Sequence, residues 1–274
     1  MTALSPRCSF SGTALKTIAC ITMLVDHIGA SCIEAGILTP GLDSGTLSRD
    51  TLSAYPLYRL DMLLRFTGRL AFPLFCFLLV EGFFHTRDLK RYVLRLLLLA
   101  LLSEIPFDLM YAGTSFFPFH QNVIWTFLIA LFCMWVIERV KRRGNLWLTL
   151  LAAAGMSLAG WLAGTIAMVD YYGAGVLTVL LFYLFRGGLW WQRLGQAAGM
   201  IWINCGLLAG LVLQVNILGL TVEFPQQGFA LLALIPIWLY RGRQGYHSRW
   251  VQTACYLFYP VHILVLAMMV RFLL

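Results

Sequence analysis

Apolar runs long enough to cross a bilayer recur along this chain and limit it more than any motif does. A helix needs about 20 such residues to span the hydrocarbon core. By that measure roughly nine segments qualify: 14–36, 69–86, 89–110, 122–140, 146–168, 173–187, 196–218, 226–241 and 252–272. Only 12% of residues are charged, about half the soluble average. No polar linker or low-complexity tail interrupts the pattern. The expectation is an all-α polytopic membrane bundle, one domain over 1–274.

Lys and Arg set an orientation. Arg7 and Lys16 precede or open the first span, and Arg87, Lys90 and Arg91 follow the second. Arg139, Lys141, Arg142 and Arg143 follow the fourth, Arg186 and Arg193 flank the sixth-to-seventh turn, and Arg241, Arg243 and Arg249 follow the eighth. Every alternate loop is basic, which expects a cytoplasmic N-terminus. The same clustering accounts for the net charge of +8, so nucleic acid is not expected as a partner. The lipid bilayer is.

Cysteines 8, 20, 32, 76, 133, 205 and 255 stand singly, without Cys-x-x-Cys, and read as small buried hydrophobes. Gly29-Ala30-Ser31-Cys32 resembles a lipoprotein cleavage box. Asp26 and His27 break the apolar core such a signal needs, so 14–36 reads as a retained span. No metal-ligand cluster, Gly-rich phosphate loop or internal repeat is visible; the missing repeat weighs against many transporter folds.

Ionisable groups inside spans are costly and mark function by default. Asp26 and His27 sit deep in the first span. Adjacent helical residues point about 100° apart, so each needs its own partner. Arg65 and Arg69 share a face at i, i+4, in a segment (55–68) suited to the interface or to extending the second span. They are placed to pair with Asp26, Glu104 or Asp108. His27 is then free for acid–base or nucleophilic work.

The remaining intramembrane polar groups admit structural readings as well. Glu104 and Asp108 flank Pro106 and suit repair of its kink. His120, Gln121 and Asn122 suit a helix cap, and His262 follows Pro260 and suits a bond to a carbonyl. Glu81 reads as ion-paired or snorkelling, His85 is ambiguous, His247 reads as solvated, and Tyr171 and Tyr172 read as interfacial aromatics.

Six stretches together resemble the TraX family: LKTIACITMLVDHIGA (15–30), GRLAFPLFCFLLVEGFFHTR (68–87), RYVLRLLLLALLSEIPFDL (91–109), HQNVIWTF (120–127), FALLALIPIWLYRG (229–242) and FYPVHILVL (258–266). The family is named for the plasmid protein that acetylates the N-terminus of F-type pilin, and is similar to the broader transmembrane acyltransferases. The resemblance implies an acetyltransferase in the bacterial inner membrane, using cytoplasmic acetyl-CoA on a pilin, peptide or glycan acceptor. It implies catalysis by His27 with Asp26 beside it. Arg69, Glu104, Asp108, His120, Gln121, Asn122 and His262 are the next carry-overs.

Within that reading Arg65, Arg69 or the Asn122 amide is expected to steady an oxyanion. Glu104 and Asp108 are expected to orient these groups or to hold an ammonium acceptor. Arg87, Lys90 and Arg91 are candidate contacts for the CoA phosphates, although membrane topology alone also explains them. Two rival functions stand beside it: a proton-coupled transporter, whose relay groups have the same chemistry, and a non-enzymatic assembly factor whose polar groups only join helices.

Overall fold

A computed structural model describes residues 9–48, 51–210, 212–217, 220–246 and 248–273. Arg7, Cys8 and His247 lie outside the described residues. The protein is a mostly helical membrane protein: five helical stretches are long and apolar enough to cross a bilayer, at Gly12–Asp43, Pro56–His85, Val123–Lys141, Leu146–Ile166 and Thr253–Phe272.

The first stretch starts as α1 (Gly12–Ile28), capped by the Ser11 hydroxyl, which accepts from the Ala14 N–H. Directly after His27 the helix widens into a π segment, Gly29–Leu38, before closing as α2 (Thr39–Asp43). Such widened turns are uncommon and concentrate at functional sites. Helix α3 (Pro56–Gly68) begins with proline, whose missing N–H costs nothing there. It turns at Arg69-Leu70 into α4 (Ala71–His85), so the 55–68 segment extends the second span.

Helix α5 (Leu89–Ala112) starts on Asp88, whose carboxylate accepts from Arg91 N, and ends at Gly113 with φ +69°. It keeps Pro106 in its interior. Asn122 caps α6 (Val123–Lys141) and Asn145 caps α7 (Leu146–Ile166). Helix α8 (Tyr172–Leu184) is followed by α9 (Trp190–Ile201) and a second π segment, Trp202–Leu207.

The chain then departs from the expected seventh span at 196–218. Val212–Ile217 (β1) and Leu220–Pro225 (β2) form an antiparallel pair, with Val212 opposite Pro225 and Ile217 opposite Leu220. The sequence explains this: Leu213, Val215 and Ile217 alternate with Gln214 and Asn216, a period of two rather than 3.6. A 3-10 segment (Gln226–Ala233) and α10 (Leu234–Trp238) follow, and α11 (Arg249–Leu273) completes the bundle.

The core lies along α4 and α8, whose Leu74, Cys76, Val80, Val176, Val179 and Phe182 are buried. Helix α7 buries only Gly160 and Gly164 among its described residues. These two glycines let α8 approach, because a methyl group on Gly160 would stand 2.8 Å from a Val176 methyl. Small residues four apart serve this purpose where lipid removes any hydrophobic drive between helices. Ala153 and Met156 pack against the core, while Leu146, Trp147, Leu151 and Ile166 face outward, as lipid contact requires.

Segments expected on one side of the membrane meet. Phe10 bridges to Tyr240, and Gln121 to Val169. The six described cysteines are unbonded thiols, as read.

Candidate functional site

Asp26 takes Arg65 of α3 and Arg69 at its C-terminal cap. Arg65 Nη1 lies 2.8 Å from Asp26 Oδ2, and Arg69 Nη2 lies 3.3 Å from Oδ1. Arg69 Nε also donates to the Arg65 carbonyl at 3.1 Å, which fixes the guanidinium along its own helix. Arg65 reaches further to Glu34, at 3.6 Å. Helices α1 and α3 come this close because Gly68 faces the Asp26 side chain and leaves no room for a Cβ. Gly29 likewise faces Asp61, which is buried with one carboxylate oxygen unpartnered.

His27 points elsewhere, as the 100° step demands. Its Nδ1 lies 2.8 Å from His262 Nε2 on α11, and the two rings stack with planes 9° apart. His262 Nδ1 lies 2.5 Å from the Phe258 carbonyl. That carbonyl can only accept, so His262 Nδ1 carries the proton. In a neutral ring its Nε2 must then accept, and His27 Nδ1 must donate. His27 Nε2 is left with a bare lone pair. The arrangement orients a base through a second group, as catalytic histidines require.

Two cavities approach His27 along α1 from either side, and neither is lined by His27 or His262. One, of about 250 Å³, runs among α1, α4, α5, α6 and α11 from Lys16, Arg95 and Tyr92 to Met23, Val123 and Tyr259. The other, of about 220 Å³, is lined by Ser31, Ala35, Leu109, Met110, Ala267 and Arg271. Met23 and Ser31 stand one helical turn before and after His27. On α11, Tyr259 precedes His262 by about one turn and Ala267 follows it by about a turn and a half.

The other expected residues gather around α5 and α6. Glu104 and Asp108 do not pair with the arginines, which Asp26 holds. Glu104 Oε2 accepts from the Asn122 amide and from Trp125 Nε1. Asp108 Oδ2 accepts from Phe117 N at 2.8 Å, so it ties down the loop after α5. Asn122 is fully buried; its amide nitrogen also donates to the Ala100 carbonyl, and its oxygen caps α6 at Ile124 N. With both N–H groups spent, Asn122 is unsuited to an oxyanion, contrary to the sequence reading.

His120 is buried against Tyr111, with Nε2 3.8 Å from Asp170. The Gln121 side chain donates to the Pro118 carbonyl. Ser103, Glu104, Asp108 and His120 each keep one buried polar atom unpartnered. Among the described residues no group of His, Cys, Asp and Glu has the geometry to hold a metal ion.

Arg87 and Arg91 line a surface groove that continues to Arg95, and Arg91 pairs with Asp88 at 3.1 Å. Lys90 does not line it. Glu81 pairs with Arg186 at 2.8 Å, and His85 Nδ1 lies 2.8 Å from the Glu81 carbonyl.

Asp170 and Tyr171 complete the neighbourhood, and sequence reasoning missed both roles. Tyr171 is not an interfacial aromatic: its ring stacks 3.9 Å from the buried Phe72. Burial, opposed by Arg69 and aided by Asp170, pushes this turn phenol above its ordinary range, so it stays protonated. Tyr172 is half-exposed and fits the interfacial reading. Tyr171 is the N-terminal cap of α8 and Tyr172 its first residue, so no helical period precedes them to flag them.

Comparison with known proteins gives two findings. Residues 11–270 match the family described as TraX protein. The chain is also similar to the probable fimbrial assembly protein FimC, serogroup H1, of Dichelobacter nodosus, at 29% identity over 98% of this chain and all of that protein. No solved structure matches.

Proposed function

Because this chain belongs to the TraX family, we propose that it is an acyltransferase embedded in the bacterial inner membrane. It moves an acetyl group from cytoplasmic acetyl-CoA to an amine or hydroxyl acceptor, such as a pilin or peptide N-terminus or a glycan. The chain crosses the bilayer about nine times from a cytoplasmic N-terminus. The seventh passage is then 190–207, through α9 and its π segment, with the hairpin outside.

The observation that carries this reading is the relay from Phe258 through His262 to His27; two cavities end one helical turn to either side of His27 on α1, without reaching its ring. The first cavity begins among cations, Lys16 and Arg95, and continues the groove of Arg87 and Arg91. CoA phosphates would rest there while the thin pantetheine arm carries the thioester inward. The acceptor would enter by the second cavity, past Arg271.

His27 Nε2 takes the proton of the acceptor as its nitrogen or oxygen attacks the thioester carbonyl. Arg65, less buried than Arg69, is placed to face the oxyanion. The C–S bond then breaks, and the CoA thiolate recovers the proton from the imidazolium. Transfer through an acyl-histidine would use the same lone pair as nucleophile.

Purified protein in nanodiscs tests this directly. CoA should bind, and acetyl-CoA should release free thiol with a short peptide acceptor. His27→Gln should lower turnover about 10²–10⁴-fold while CoA binding persists. Wild-type turnover in that variant, or no binding of CoA, would sink the reading. A second reading, a non-enzymatic assembly factor, draws on the description of the fimbrial relative. It expects His27→Gln to be functionally silent.

A further inference from the structure

At the start of α9 the chain gathers more cationic charge than its own carboxylates use up. A cavity of about 270 Å³ opens between α4, α9 and α10, with Arg186, Gly187, Gly188, Arg193 and Trp238 on its wall. Among its lining residues Glu81 is the one acid, and Arg186 occupies it, Nε lying 2.8 Å from Glu81 Oε1. Both Nη groups of Arg186 are left without a protein acceptor among the described residues. Arg193 makes no ion pair there either; its guanidinium stands 6.0 Å from the centre of the Trp238 ring. Arg186 is braced in the same way, 4.3 Å over Phe84. An arginine steadied by an aromatic face keeps its N–H fork free for another acceptor.

The loop between the two arginines adds backbone donors. Gly187 has φ +140°, which glycine alone adopts without strain, and a Cβ there would strike the Gln192 amide. Gln192 fixes the loop: its Oε1 accepts from Leu189 N at 3.0 Å, and its Nε2 donates to the Arg186 carbonyl at 2.9 Å. The Gly187 and Gly188 N–H groups meet no acceptor among the described residues. Free peptide N–H groups beside guanidiniums are a donor set that suits phosphate oxygens.

The rim says what carries the phosphate. Leu189, Trp190, Trp191 and Leu194 are exposed, and the last three share one side of α9. Indoles beside a basic turn sit at headgroup depth. A soluble anion gains nothing from this apolar rim, whereas a lipid gains along its chains. Arg241 and Arg243 adjoin Gly242, another lining residue, so the surrounding charge is positive.

We propose that this cavity binds an anionic phospholipid, its headgroup phosphate held by Arg186, Arg193 and the Gly187-Gly188 N–H groups, its acyl chains laid along the apolar side of α9. Basic pockets between membrane helices recognise such headgroups. On the orientation proposed above the site opens to the inner leaflet. It makes no demand on the acyltransferase reading and stands without it.

Native mass spectrometry of the whole protein, released from nanodiscs of phosphatidylcholine and phosphatidylglycerol in equal parts, tests this. Phosphatidylglycerol should stay bound. Arg193→Gln should lower its retention about fivefold or more, the value of one basic residue at an anionic surface. Gly188→Asp should abolish retention with the unfolding midpoint unchanged, because a Cβ there meets nothing within 4 Å. Arg142→Gln, which removes a cation from another basic turn, should retain the lipid like wild type.

Equal retention of the two lipids, or equal loss in Arg193→Gln and Arg142→Gln, would overturn the proposal by showing bulk attraction alone. Wild-type retention in Gly188→Asp would overturn it too. Displacement of the lipid by added CoA or inorganic phosphate would replace the lipid with a soluble phosphate as occupant.

Discussion

Replacing His262 by Phe isolates the relay from the bulk of the ring. The change keeps an aromatic of similar size against Phe258, whose ring centroid lies 4.6 Å away. It removes the acceptor 2.8 Å from His27 Nδ1. The net value of that hydrogen bond is about 1 kcal/mol. A neutral His27 then loses its fixed tautomer, and its ring is free to rotate about χ2. Loss of the bond and of the orientation together should raise the barrier by about 1.5–3 kcal/mol, roughly 10–150-fold in kcat.

CoA binding should be unchanged, because His262 lines neither cavity. The assay is thiol release from acetyl-CoA by protein in nanodiscs, read beside His27→Gln as the lower bound and CoA binding as the control. His262→Gln, which restores a carbonyl acceptor, should recover activity in part. If His262→Phe turned over like wild type while His27→Gln was dead, the relay argument would be wrong and His27 would act alone.

Two further substitutions probe the frame around that pair. Asp26→Asn leaves Arg65 and Arg69 without their shared carboxylate; breaking such a buried pair costs about 3–5 kcal/mol, the lower figure applying here because Arg65 is 21% exposed. The unfolding midpoint in mixed micelles should fall accordingly, and an unchanged midpoint would show that the ion pair is dispensable. Gly68→Ala places a methyl group against the Asp26 side chain; overpacking costs about 1–3 kcal/mol and should lower both stability and turnover, whereas Gly155→Ala, with open space around it, should change neither.

Some of this architecture was legible in the residues. Apolar length alone located most of the helices, and the i, i+4 spacing of Arg65 and Arg69 set both guanidiniums on one face, ready to meet an acid. That the acid is Asp26 rather than Glu104 or Asp108 depends on Gly68, which sets how closely two helices approach. The partnership of His27 with His262 spans 235 residues, and no local period connects them. The hairpin hid within an apolar run because counting residues ignores alternation. Asp170 was invisible for another reason: its position is set by left-handed backbone angles at Met168, Tyr171 and Tyr172, which no residue in the turn favours.

The histidine pair joins α1 to α11 across 235 residues. During synthesis the ribosome must therefore release α11 before Nε2 of His27 acquires its defined tautomer. Every nascent intermediate that lacks α11 would sit in the bilayer with the imidazole present but unaligned. Alignment of that ring is thus coupled to insertion of α11, a consequence of topology alone.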